Sequence, residues 1–246
     1  MTIITSKSNN LIKKVKKLKQ KKYRKTSYLI EGWHLYEEAL KAKVDILNIF
    51  VLEELKERLD QSLPITCVSD DILRELCDSP NPQGIIAEVA YENREFSIKA
   101  NEKYLLLEDV QDPGNVGTII RTADAAGYDA VFISDKSADI YNQKTLRSMQ
   151  GSHFHIPVYR QSVLEVLELM TSLEIPVLAS TLSSQSKDYK SIVKPDSFLL
   201  VLGNEGQGIS PMLAKRANQL VHITMPGQAE SLNVAVAAGI LIFSFI

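Results

Sequence analysis

Apolar positions fall along the chain in two stretches of alternating strand and helix patterns. In the first, Leu11, Val15 and Leu18 recur at helical spacing within the otherwise basic run Asn9–Lys22, which predicts an amphipathic helix. Tyr28–Ile30 reads as a short strand, and Trp33–Lys41 as a helix with Leu35, Ala39 and Leu40 inward. Strands are expected at Ile46–Leu52, Ile65–Val68 and Gly84–Val89, with helices at Glu53–Asp60 and at Asp70–Cys77 behind a Ser69 cap. Trp33, the single Trp, reads as a packing residue of its helix rather than a base-stacking platform.

The segment Tyr91–Glu102 is polar, charged and weakly periodic, the pattern of a linker. Beyond it the alternation becomes denser. Strands are predicted at Tyr104–Glu108, Ala130–Ile133, Phe154–Val158, Pro176–Ala179, Phe198–Leu202 and Val221–Ile223. Helices are predicted around Asn115–Ala126, Gln143–Met149, Ser162–Ser172, Pro211–Ala217 and Leu232–Phe245. Strands alternating with helices imply an α/β fold with a parallel sheet covered on both faces. Such sheets gather ligands at the carboxyl ends of their strands. Attention therefore goes to the loops after Leu107, Ala179, Leu202 and Ile223.

Composition adds little to the fold and something to function. Apolar residues make up 45% and charged residues 24% of 246 residues, ordinary for a globular chain. The most apolar stretch, Leu232–Ile246, contains Asn233, Gly239 and Ser244 and falls short of the ~20 residues needed to span a bilayer. No signal peptide is read, so a cytoplasmic, membrane-free protein is expected. The two cysteines, Cys67 and Cys77, form no C-x-x-C pair, and no metal site is expected. Net charge is −2, yet residues 1–25 carry ten basic residues and no acid, so the remainder carries −12. A basic segment on an acidic body is the footprint expected of contact with a phosphate backbone, with a solvated helix face as the alternative. Lys13, Lys14, Lys17, Lys21 and Arg24 are its candidate RNA-binding residues.

Three loops carry residues unusual enough to suggest chemistry. After the first strand of the second block comes Glu108–Gly117, where Asn115 is a candidate helix cap and Arg121 lies one turn beyond Gly117. An Arg near a helix N-terminus suits an anion such as a phosphate, or pairs structurally with Asp112 or Asp124. The second loop, Gly203–Pro211, has the order G-x-x-G-x-G. That is neither the dinucleotide order G-x-G-x-x-G nor a P-loop, which argues against a nicotinamide-dependent oxidoreductase. The third, Thr224–Val234, offers Ser231 as the cap of the last helix, with Asn233 in its first turn. Each loop alone is also compatible with a structural turn.

Together they resemble the SpoU/TrmH family of RNA 2′-O-ribose methyltransferases, of the SPOUT superfamily. Asn115, Gly117, Arg121, Thr122 and Ala123 match the family's N-x-G-x-x-x-R-T-A motif. Leu202, Gly203, Glu205, Gly206 and Gly208 match L-G-x-E-G-x-G, and Ser231, Leu232, Asn233 and Val234 match S-L-N-V. Thr224, Pro226 and Ala235 depart from the common form of the third motif. In the first block, Glu31-Gly32 followed by Glu38-Ala39-Leu40 is similar to the substrate-binding domain of rRNA methyltransferases, an α/β fold akin to small ribosomal proteins.

The resemblance implies a small α/β RNA-binding domain over residues 1–95. A parallel-sheet α/β-knot catalytic domain, with the SPOUT trefoil knot, is implied over residues 102–246. It implies S-adenosylmethionine as cofactor, bound by Thr181, Leu202, Gly203, Gly208, Ile223, Met225 and Leu232. It further implies catalytic positions at Arg121, Asn115, Glu205, Ser231 and Asn233, and a homodimer. Arg147, in Arg147–Ser152, is a second candidate for RNA phosphate. His153 and His155, flanking Phe154 in a strand pattern, read as surface or structural residues. The implied reaction moves a methyl group to a ribose 2′-hydroxyl of RNA, with 23S rRNA preferred to tRNA as substrate. A catalytically silent RNA-binding assembly factor is the remaining alternative.

Overall fold

The computed structural model of the chain describes residues 3–92 and 96–246. The chain divides into two units. One comprises residues 1–93 with 141–154; the other comprises residues 94–140 and 155–246. The linker expected over Tyr91–Glu102 includes residues 93–95, which lie outside the described residues.

The first unit is built on a four-stranded sheet of β1 (Ser27–Glu31), β2 (Ile46–Val51), β3 (Ile65–Cys67) and β4 (Ile85–Ala90), in the order β1-β4-β2-β3. β4 is antiparallel to both β1 and β2, while β2 and β3 are parallel. Helices α1 (Asn10–Lys17) and α3 (Asp70–Leu76) cover it, burying Ile12, Val15, Ile72, Leu73 and Leu76 against Leu29, Phe50 and Ile86. The Asn9 side chain accepts from Leu11 N and starts α1. This helix ends at Lys17 rather than Lys22, and Lys21–Tyr23 forms a separate 3-10 turn. Past Leu18 the run offers no further apolar residue to bury, so nothing offsets the repulsion of adjacent lysines.

Helix α2 (Trp33–Lys41) starts and ends where the pattern predicts, but buries Tyr36 in place of Leu40, which is exposed. Trp33 is half-buried, its ring under the Arg58 guanidinium at 3.9 Å. Ser69 stands at the cap position of α3 without a side-chain hydrogen bond, and the expected helix Glu53–Asp60 is a 3-10 helix, Glu53–Arg58.

In the second unit, β5 (Lys103–Leu107), β6 (Ala130–Ile133), β7 (Val158–Arg160), β8 (Val177–Ser180), β9 (Lys187–Asp188), β10 (Phe198–Leu202) and β11 (Gln219–His222) form one sheet. Its order is β7-β6-β5-β10-β8-β11-β9 and every pairing is parallel. Strands buried on both faces need continuous apolar runs, and Phe198–Leu202 and Tyr104–Leu107 are fully buried. The strand predicted at Phe154–Val158 lies later, at Val158–Arg160, because Ser152–Phe154 is a 3-10 turn of the first unit. His153 there is buried and bonded to the Tyr28 hydroxyl at 3.0 Å, and His155 bonds Asp124 at 3.1 Å.

Four helices of this unit bear on the site or its frame. α4 (Pro113–Ala125) follows β5, and α6 (Val163–Ser172) opens with a Ser162–Glu165 capping box. α7 (Pro211–Arg216) is capped by Ser210, and α8 (Val234–Ser244) closes the fold against α4. The remaining helix, α5 (Gln143–Met149), belongs to the first unit, where the Gln143 side chain donates to Leu29 O at 2.7 Å.

Candidate functional site

The carboxyl ends of four neighbouring strands, β5, β10, β8 and β11, carry the loops that form the site. Gly203 leaves β10 with no room for a side chain. A Cβ there would lie 2.2 Å from the carbonyl carbon of Gly208, closer than atoms approach. Gly208, at φ +67, lets the chain turn back so that Asn204 and Gly208 exchange backbone hydrogen bonds of 3.0 and 2.9 Å. The Asn204 side chain accepts from Gly206 N and Gln207 N and donates to Asp109 O at 2.8 Å, tying the glycine loop to the end of β5. Glu108, buried, accepts from Ser210 N at 2.7 Å and holds the far end of the same loop.

From this turn Glu205 projects against the loop after β5. Its carboxylate accepts from Gln111 N at 3.1 Å, Asp112 N at 3.0 Å and the Asn115 side-chain amide at 3.1 Å. Burial pushes the Glu205 carboxyl up, but the Asp112 N–H and the Asn115 amide more than offset it and hold it below the ordinary carboxylate range. Asn115 in turn accepts from Asn233 Nδ2 at 3.1 Å. The three motifs thus converge on one chain of hydrogen bonds, Glu205–Asn115–Asn233.

Two helix starts differ from expectation, and the differences explain this convergence. Asp112, followed by Pro113 in the first helical position, caps α4 by accepting from Asn115 N. Asn115 therefore sits inside the first turn with its side chain available to Glu205. At α8 the cap is Asn233, which accepts from Ala235 N and Val236 N, and Ser231 stands two residues before it. One amide side chain thus does two tasks, its oxygen capping the helix and its nitrogen reaching Asn115.

Arg121 lies on the solvent side of α4, exposed. Among the described residues it makes no hydrogen bond or ion pair. Neither Asp112 nor Asp124 claims it, and Asp124 instead bonds His155. A guanidinium left unpaired on the open face of a helix is available to an external anion.

Beside the network is a cavity of about 470 Å³. Thr181, Leu202, Gly203 and Gly208 line one part of it, and Ile223, Met225, Ser231 and Leu232 another, with Glu205 among them. All seven positions expected to hold the cofactor therefore share one cavity. Its walls combine apolar side chains with backbone groups of the glycine turn and the hydroxyls of Ser180, Thr181 and Ser183. A methionine chain bearing a sulfonium, a ribose and a flat base ask for this mixture, and the volume lies in the range of small-ligand pockets. The cavity thus fits S-adenosylmethionine.

Several residues of the frame lie outside the sequence motifs. Asp109 adopts φ +57, an uncommon conformation for a residue other than Gly, and is held there by Ser134, whose hydroxyl bonds both its N–H and its carboxylate. Arg160 on β7 donates to the carbonyls of Ser134, Asp135, Ser137 and Ala138, locking the loop that carries Ser134. His222 also lines the cavity, bonded to Ser186 at 2.9 Å and Thr224 at 3.3 Å. An Arg in a half-buried strand is the one sequence signal for Arg160; nothing marks Asp109.

The basic residues of the N-terminal segment, among them the RNA-binding candidates, lie in the first unit and are of two kinds. Lys7 and Lys16 pair with Glu75, and Lys19 pairs with Asp78. Lys13, Lys14 and Lys21 are exposed and unpaired among the described residues, and Lys17 lies 5.6 Å from the Tyr23 ring centre. Arg24 is partly buried beside them. Arg147, on α5, stands 3.9 Å from Glu31.

Among the described residues no helix is long and apolar enough to cross a membrane, and no group of three or more His, Cys, Asp or Glu could hold a metal ion.

Comparison with known proteins agrees with this geometry. The SpoU rRNA Methylase family profile matches residues 102–243, and an MRM3-like substrate binding domain profile matches residues 9–87. The chain is 43% identical to the 23S rRNA (guanosine(2553)-2'-O)-methyltransferase RlmP of Bacillus subtilis (strain 168), over 99% of this chain and 98% of that protein. The AdoMet-bound rRNA methyltransferase from Sinorhizobium meliloti superposes with a TM-score of 0.88 at 30% identity, covering 99% of this chain and 97% of that one. The fold is also that of the SpoU methyltransferase AviRb from Streptomyces viridochromogenes, with a TM-score of 0.84 at 24% identity, covering 96% of this chain and 97% of that one. The architecture is that of the SPOUT methyltransferases, and the chain belongs to the SpoU rRNA methylase family.

Proposed function

We propose that this protein transfers the methyl group of S-adenosylmethionine to a ribose 2′-hydroxyl of 23S rRNA. The observation that carries the reading is the hydrogen-bonded chain Glu205–Asn115–Asn233 beside a cavity lined by every expected cofactor position. Residues 1–95, with segment 141–154 packed among them, form the substrate-binding part, and the rest of residues 102–246 the methyltransferase part. The guanosine ribose named for the Bacillus subtilis relative is the first target to test.

Bound in the cavity, S-adenosylmethionine supplies an electrophilic methyl group. The chain must then orient the hydroxyl and help it lose its proton. A guanidinium holds its proton too tightly to act as a base. Arg121 instead holds the RNA phosphate next to the target ribose, so that this phosphate shares in removing the proton. Glu205 and Asn115 keep the loop after β5 in register with the glycine turn. Asn233 anchors the start of α8, and Ser231, exposed at the cavity wall, contacts substrate or cofactor. Lys13, Lys14, Lys17, Lys21 and Arg24 attract the RNA backbone, and Arg147 contacts RNA as well.

The working form is a homodimer in the cytoplasm. Support for pairing comes from α8, which is apolar up to its final Ser244 yet leaves Val236 54% and Phe243 52% exposed. Light scattering should give twice the chain mass, and Phe243→Asp should halve it. The reaction itself is tested on 23S rRNA from a strain lacking this protein. Incubation with protein and cofactor should make one phosphodiester resistant to alkali, because a methylated 2′-oxygen cannot attack it. Resistance in tRNA alone would move the substrate, and no transfer to either would favour a silent assembly factor.

A further inference from the structure

The first unit contains a second, smaller cavity, of about 170 Å³, that the methyl-transfer site does not use. It is lined by Glu31 and Gly32 at the end of β1, His34 and Leu35 of α2, Ser79, Asn81 and Gln83 of the loop before β4, and Arg147 and Gln150 of α5. The Glu31 carboxylate is buried and accepts from Asp78 N at 2.9 Å and Ser79 N at 3.2 Å. A carboxylate offers about four acceptor sites, so capacity remains. Arg147 faces it from α5, but at 3.9 Å the pair is too long for a hydrogen bond. Arg147 Nη1 is buried with no hydrogen-bond partner among the described residues. A buried charged donor left in this state is costly unless something completes it.

The rim offers further unused polarity. Gln83 spends its side-chain oxygen on Trp33 N at 3.0 Å, which leaves its amide nitrogen without a partner among the described residues. Leu35 supplies an apolar wall. The cavity thus places an acceptor and an unsatisfied donor side by side. A phosphate presents acceptors only and would bring its charge against Glu31, so the phosphate contact expected of Arg147 is disfavoured here. The edge of a nucleobase matches, because it carries an N–H next to a carbonyl or ring nitrogen. Bases are open to such reading only where RNA is unpaired.

We propose that this cavity receives the edge of one unpaired base of the substrate RNA, with Glu31 accepting from its N–H and Arg147 donating to the neighbouring acceptor. This rests on the reading of the chain as an RNA methyltransferase, and assigns its first unit a base-reading pocket besides the basic surface.

The test uses the full-length protein and fluorescently labelled RNA hexamers in three forms: a uridine hexamer, the same ribose-phosphate chain without bases, and a paired duplex. The base-bearing single strand should bind at least tenfold more tightly than the abasic chain or the duplex. Arg147→Met and Asn81→Trp, the latter filling the mouth from an exposed position, should each abolish that preference. In Asn81→Trp, abasic binding, S-adenosylmethionine binding and the melting temperature should stay unchanged. Should Arg147→Met unfold the protein, Asn81→Trp decides alone. Equal binding of the base-bearing and abasic chains, or variants that keep the preference, would overturn the pocket while leaving the methyltransferase reading intact. A wild-type protein that neither binds RNA nor transfers methyl would overturn both.

Discussion

The glycine-rich turn of the second unit and the lysine-rich segment of the first are both polar surfaces, yet they are built in opposite ways. Around Glu205 most polar groups are already committed. Its carboxylate serves three donors, Asn115 bridges Glu205 and Asn233, and Asn204 ties the turn to Asp109. In the lysine segment, Lys13, Lys14 and Lys21 have no partner among the described residues. Methyl transfer demands alignment within fractions of an ångström, which a preassembled network supplies. Capture of RNA demands charge at roughly the right place, which solvated lysines supply without an ordering cost. Arg121 combines the two, an unpaired cation set on the helix that carries Asn115.

Substitutions should therefore separate the regions by what they change. The largest effect is expected for Arg121→Ala, with kcat falling on the order of 10²–10³-fold, as for loss of one preorganised electrostatic group. Cofactor affinity by calorimetry should hold, because Arg121 lies outside the cavity lining; loss of both would make its role structural. Next comes Gly203→Ala, whose added methyl meets Gly208 at 2.2 Å. Cofactor affinity should drop more than tenfold, while RNA affinity, which rests on the lysine segment, should hold. Glu205→Gln keeps the shape but removes the charge and turns one of the two accepting oxygens into a donor, so at least one of the three hydrogen bonds is lost and the others weaken, and about a tenfold loss in kcat is expected.

Replacing Lys13, Lys14, Lys17 and Lys21 together by Ala should raise KM for RNA several-fold at low salt and leave kcat unchanged. The slope of log affinity against log salt should become shallower by roughly 0.7 for each phosphate no longer neutralised. A fall in kcat instead would show that the segment positions the target ribose. The smallest effect concerns pH. The folded-state pKa of Glu205 lies below its unfolded value, so its bonds stabilise the site above the ordinary carboxylate range and are lost as pH falls through the folded value. Cofactor binding should weaken on that acid side in the wild type and stay flat there in Glu205→Gln.

Much of this is legible in the chain itself. The apolar runs of the parallel strands, the limits of α2 and the order of the three loops follow from periodicity and turn residues. The helix caps differ from expectation for an identifiable reason. Asp112 and Asn115 are both good caps, as are Ser231 and Asn233, and only the tertiary bonds of Asn115 and Asn233 show which stands at the helix start. Segment 141–154 follows a strand of the second unit but packs in the first, through contacts such as Gln143 to Leu29 that no local pattern encodes. The two-residue strand β9 is too short to leave a period. Asp109 at positive φ carries no signal at all, since its conformation is imposed by Ser134 and the Arg160 clamp.

The most direct test is the identity of the methylated nucleoside. Purified protein, S-adenosylmethionine carrying a labelled methyl group and unmodified 23S rRNA should yield, after complete digestion and mass spectrometry, a single nucleoside with the label on its ribose. The same reaction with Arg121→Ala should yield it at less than about one part in a hundred. Label on a base, or equal label from the variant, would contradict the central claim.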